Sequence, residues 1–157
     1  MSGLLETTRN FSLYGIPAAW LISHCPHLYA ATATKCFDNR FPRDFPQRLE
    51  ADQSIDQAKR NRVRRAHAAG SNGYENLGLF AAAVVAGNVA GLSHYTLNAL
   101  TGGYLISRVV YNFIYVNNTT EGAAATRSVV FLAGIGHIFT LFIKSGNVLR
   151  NGAANLL

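Results

Sequence analysis

Charge is what this chain has least of. Acidic and basic side chains make up 14% of its 157 residues, against about 25% in a soluble domain. They are missing altogether from three stretches, residues 10–34, 76–107 and 128–143. A soluble bundle needs a charged outer face on each helix, and helices built from these stretches would have none. Cysteine is also scarce. Cys25 and Cys36 make no disulfide framework. His24-Cys25-Pro26-His27 has a metal-like look, but Pro26 distorts that turn and no second ligand cluster exists, so no metal is expected. His137 reads as a packed or hydrogen-bonded histidine. A cleavable leader is not expected either, because Glu6 and Arg9 balance each other and polar residues follow where a small-residue cleavage site would lie. Tandem repeats and low-complexity tracts are absent.

What is present is long apolar sequence. The middle uncharged stretch exceeds the roughly 20 residues that one transmembrane helix needs. Gly91-Leu92-Ser93-His94 divides it, and its second half continues through Arg108. Four spans are predicted, at roughly 11–31, 67–91, 95–117 and 126–146. The expected fold is an all-α integral membrane protein, with residues 1–157 forming a single four-helix membrane domain. Gly78, Ala81–Ala83, Gly87 and Gly91 would permit close helix contacts.

The net charge of +6 is concentrated in one place. Nine of the fourteen basic residues fall within 32–65, and none falls in the 91–95 turn. The positive-inside rule places loop 32–65 in the cytosol, together with the loop around 117–126. A basic, proline-containing loop also raises RNA binding. Few aromatics interleave the basic run Lys59–Arg65, so the loop reads as a topology signal against anionic headgroups, and no nucleic-acid partner is expected.

The polar residues inside the spans carry the functional argument. Arg65, Ala68, Asn72 and Glu75 are spaced three, four and three, which makes one helical stripe. Arg108, Tyr111 and Tyr115 form another, and Arg127 and Ser128 open the last span. Connectivity brings all three sets to the cytosolic side. One explanation is structural: Glu75 pairs with Arg108, while Asn72 and the tyrosines bridge helices. The other follows from the imbalance, since one acid faces Arg65, Arg108 and Arg127. The surplus positive charge must meet solvent, headgroups or an anionic ligand. A small molecule with two carboxylates and an ammonium, a description that matches glutathione, would fit.

At these residues the chain resembles the MAPEG family, membrane-associated proteins of eicosanoid and glutathione metabolism, in its microbial and fungal microsomal glutathione transferase-like form. Arg65…Asn72-Gly-Tyr-Glu75-Asn76-Leu-Gly-Leu-Phe80 is similar to the family's second-span signature. Arg108-Val-Val-Tyr111-Asn-Phe-Ile-Tyr115 resembles its third-span motif, and Thr126-Arg127-Ser128-Val129 the start of its fourth span. The resemblance implies a homotrimer whose subunits share glutathione sites near the cytosolic face of the endoplasmic reticulum. It implies that Arg65, Asn72, Glu75, Arg108, Tyr111 and Tyr115 bind glutathione as co-substrate. Arg127 would stabilise the thiolate, Ser128 would hydrogen-bond near it, and Tyr111 would serve as a phenol donor. The implied activity is conjugation or reduction of lipophilic electrophiles or hydroperoxides reaching the site from the bilayer. An isomerase or cyclase acting on a hydrophobic metabolite, or a lipid-binding scaffold, are the alternatives. The Tyr115–Arg127 connection is longer than in the family's eicosanoid synthases, so Arg127 is expected to need a shifted loop to reach the site.

Overall fold

The computed structural model describes residues 9–154, with side chains through residue 152. Glu6 and the end of the chain at Asn155–Leu157 lie outside the described residues. The fold is all-helical. Helix α1 spans Gly15–Thr32, α2 Phe45–Ala51, α3 Gln57–Val89, α4 His94–Asn117 and α5 Glu121–Ala154. Short 3-10 turns at Ser12–Tyr14 and Pro42–Asp44 precede α1 and α2. The four long helices pack together, α1 along α3 and α4 along α5, with α3 touching all the others.

Local chemistry sets the ends of these helices. The Asp56 side chain accepts from the Lys59 N–H and starts α3, well before residue 67, where the apolar run begins. At its far end Leu92 N–H donates to the Gly87 carbonyl, and Gly91 takes φ +70. This is a glycine-closed cap in a conformation that a side chain would disfavour. The Ser93 side chain then accepts from Thr96 N–H and starts α4. The connection between α4 and α5 is only residues 118–120. Thr120 caps α5, with its hydroxyl accepting from Ala123 N–H. The last helix thus begins before residue 126, and the longer loop expected there is taken up as an extra turn of helix.

Packing is tight where the residues are small. A Cβ on Gly73 would strike the Ser23 side chain, and one on Gly70 would lie 3.1 Å from His27 Cβ. These two glycines bring α1 against α3. Gly87 serves similarly against Leu97, whereas Gly78 and Gly91 have open space around them, so two of the positions expected to mediate helix contact do not. The main core joins Ala19, Phe80, Ala83, Val84, Leu97, Tyr104, Ile138 and Leu141. Phe80 and Tyr104 stack at its centre with ring centroids 4.0 Å apart.

Pro26 sits inside α1 and cannot donate to the Ile22 carbonyl four residues earlier. Asn112 of α4 supplies the missing donor, its Nδ2 lying 2.9 Å from Ile22 O. His137 bonds the Ala133 carbonyl through Nδ1 at 2.7 Å, and its other ring nitrogen packs over Gly103. His24 is engaged too, with Nδ1 2.7 Å from the Tyr74 hydroxyl. Among the described residues no group of His, Cys, Asp or Glu is arranged to hold a metal.

A second core roofs one end of the bundle. Phe45 and Leu49 of α2 pack on Ala30, Cys36, Val63 and Ala66. The basic segment is therefore folded. Arg60 spans the Leu49, Asp52 and Ile55 carbonyls. Asp38 holds Arg40 and Arg48, each at 3.1 Å, and the Arg40 guanidinium keeps its carboxyl below the ordinary value of 3.8. Hydrogen bonds from Ser54 hold Asp52 low in the same way. Burial pushes the Cys36 thiol up, and that thiol donates to Asp52 at 3.2 Å.

The outer surface reverses the pattern of a soluble bundle. Ile106, Phe113, Val129, Leu132 and Ile143 are all well exposed. Among the described residues one helix, α5, is long and apolar enough over Glu121–Gly152 to cross a membrane on length and composition alone. Helices α1, α3 and α4 dilute their hydropathy with Gly, Ser, Tyr, Asn and His.

Candidate functional site

The polar stripes of α3 and α4 meet at Arg108. This guanidinium is 3% exposed, and its Nη2 donates to Asn72 Oδ1 at 2.7 Å. Its Nε has no partner. Among the described residues no carboxylate pairs with it. Glu75, expected to do so in the structural explanation, is exposed and forms no ion pair with it. The reason is rotation: Asn72 and Glu75 share a stripe, but only Asn72 turns inward far enough to meet α4.

Aromatic rings replace the missing acid. The Arg108 guanidinium carbon lies 4.3 Å from the Tyr111 ring centroid and 6.0 Å from that of Phe131. Tyr111 meets Tyr115 edge-to-face at 5.4 Å. Arg127 sits over the Tyr115 ring at 4.2 Å. The early start of α5 is what carries Arg127 to this position, so the 118–120 turn is no obstacle.

Beside this array lies a cavity of about 320 Å³ lined by Asn72, Tyr111, Arg127, Ser128, Phe131 and Leu132. Four of these were legible as candidates. Phe131 and Leu132 were not, although Phe131 follows Arg127 by four residues and so shares its face. Ser128 Oγ donates to the Ala124 carbonyl at 3.2 Å, which leaves its lone pairs for a ligand. Other candidates lie elsewhere. Arg65 donates to the Val116 carbonyl at 3.2 Å and faces a separate groove of about 460 Å³ with Arg64, Asn118 and Glu121. Arg108 stands behind the cavity, Tyr115 beneath Arg127, and Glu75 outside its lining. A further groove of about 330 Å³, lined by residues that include Phe11, Tyr14, Asn98 and Thr101, carries no arginine or carboxylate and lacks this chemistry.

An all-helical bundle with an apolar exterior, and a buried guanidinium with no carboxylate partner among the described residues beside an open cavity, is the architecture of a membrane protein. The chain belongs to the MAPEG family, whose family model matches residues 14–147. That family comprises membrane-integral proteins of glutathione and eicosanoid metabolism. No curated protein and no solved structure matches the chain.

Proposed function

We propose that this protein is a glutathione-dependent membrane enzyme that conjugates or reduces lipophilic electrophiles or hydroperoxides. The observation carrying the reading is Arg108, a buried cation with an unpartnered Nε and, among the described residues, no carboxylate partner, set behind a cavity that Arg127 lines. Isolated buried charge is expensive, and an anionic guest relieves it. The residues fit glutathione. Asn72 and Tyr111 would hold the peptide with Arg108 behind them, while Arg65 and Glu75 lie outside this cavity's lining. Bound there, glutathione supplies a thiol nucleophile. Arg127 favours the ionised thiol electrostatically, Ser128 orients it, and the Tyr111 phenol donates a proton to the acceptor. Phe131 and Leu132 form an apolar wall for the second substrate.

In this reading α1, α3, α4 and α5 all cross the bilayer, and the basic segment 32–65 faces the cytosol. The assembly is a homotrimer of the endoplasmic reticulum with its site on the cytosolic side. A second reading, an isomerase or cyclase working on a hydrophobic metabolite, is favoured by one feature: Glu75 does not line the cavity, which leaves a glutathione ammonium with no carboxylate there.

Calorimetry of the detergent-solubilised protein with millimolar glutathione tests the first reading. Heat release and a raised melting temperature are expected, and their absence rejects it. Arg127→Ala should reduce conjugation of a chromogenic aryl halide by about a hundredfold, the scale of losing one charge-stabilising group.

A further inference from the structure

We propose that Tyr115 is a positioning residue whose ring face, and not its hydroxyl, seats the Arg127 guanidinium at the cavity wall. For its functional meaning the idea rests on the glutathione reading; for its geometry it does not.

Four side chains run in series, two rings between two cations. Arg108 lies over Tyr111 at 4.3 Å, Tyr111 meets Tyr115 at 5.4 Å with planes 75° apart, and Arg127 lies over Tyr115 at 4.2 Å. Spacings of three and four residues on α4 put Arg108, Tyr111 and Tyr115 in one row. Arg127 arrives from α5. Among the described residues the Arg127 guanidinium makes no hydrogen bond and no ion pair, so the ring is its anchor. The Tyr115 hydroxyl has no hydrogen-bond partner among those residues either. A guanidinium held by its flat face keeps its in-plane N–H donors free. Those donors are what an anion in the cavity needs. Anchoring through a carboxylate would occupy them and cancel the charge. A ring face does neither, because its quadrupole attracts the cation without neutralising it.

The test reads Arg127 directly. Protein in lipid vesicles is treated with phenylglyoxal, which modifies accessible guanidinium groups, and the Arg127 peptide is quantified by mass spectrometry. Tyr115→Leu should raise the Arg127 modification rate about tenfold, the population change that a partly desolvated cation–π contact implies. Tyr115→Phe keeps the face and should restore the slow rate. Progressively fluorinated phenylalanines at position 115 keep the shape while draining the ring's negative face, so the rate should climb with each fluorine even if the leucine variant fails to fold. A rate that ignores fluorination, or a Tyr115→Phe variant that behaves like Tyr115→Leu, overturns the proposal.

A second readout separates it from the functional reading. Ultraviolet titration of glutathione thiolate on the protein should show ionisation moving upward by about one pH unit in Tyr115→Leu and returning in Tyr115→Phe. Modification rates that follow the ring face, with no thiolate signal in the wild-type protein, would sink the glutathione reading and leave the role of Tyr115 standing.

Discussion

Asn72 and Arg108 are joined by one hydrogen bond of 2.7 Å, and much of the site depends on it. Hydrogen bonds to charged groups contribute about 1.5–3 kcal/mol. Asn72→Leu should therefore lower stability by about 2 kcal/mol, seen as an earlier thermal transition in detergent. Glu75→Gln should leave that transition nearly unmoved, because Glu75 is exposed and forms no ion pair among the described residues. The sequence made both stripes visible, since spacings of three and four are unambiguous on a helix. It could not tell which member of the α3 stripe turns towards α4, because that depends on the rotation of one helix against the other. The ring-on-guanidinium contacts were invisible for the same reason: Tyr115 and Arg127 belong to different helices, and only the length of the 118–120 turn brings them together.

At the scale of elements, the α3–α4 boundary was legible because Gly91 and Ser93 carry distinct capping chemistry. The α1–α4 link was not. Pro26 marks a disturbed turn, yet the carbonyl it orphans and the Asn112 that answers it lie on separate helices. Asn112→Leu should cost about 1–3 kcal/mol by leaving the Ile22 carbonyl unsatisfied. Adding Pro26→Ala should recover much of it, since alanine restores the backbone donor; a double-mutant cycle measured by thermal melting checks this. The roof formed by α2 and its flanking turns responds to acid. Asp38 and Asp52 are held below their ordinary value of 3.8, so their contribution is complete above that pH. It is lost as the pH falls through 3.8 and then through the lower folded values. Proteolytic nicking within residues 36–56 should rise over that window while the long helices stay protected.

For the whole molecule, α3 is the organising piece. It is 33 residues long, or about 50 Å at 1.5 Å per residue, against a hydrocarbon core of about 30 Å. If α3 crosses, its excess length projects beyond the apolar belt at the Gln57 end, where the roof sits. If all four long helices cross, Ser54→Cys and Ser93→Cys should label from opposite faces of a sealed vesicle with an impermeant maleimide. Labelling from the same face would contradict four crossings. The all-helical, membrane character was legible from the uncharged stretches alone. The hydropathy of α1, α3 and α4 is weaker because their small and polar residues are used for packing and for the site.

The Gly91 cap has a consequence for how this architecture tolerates change. Because α3 and α4 reverse within so few residues, the hairpin behaves as a geared pair, with Asn72 and Arg108 as matched teeth. One residue inserted between Gly103 and Ser107 would swing Arg108 through about 100° and out of mesh. The same insertion among residues 38–41 would pass unnoticed by the site.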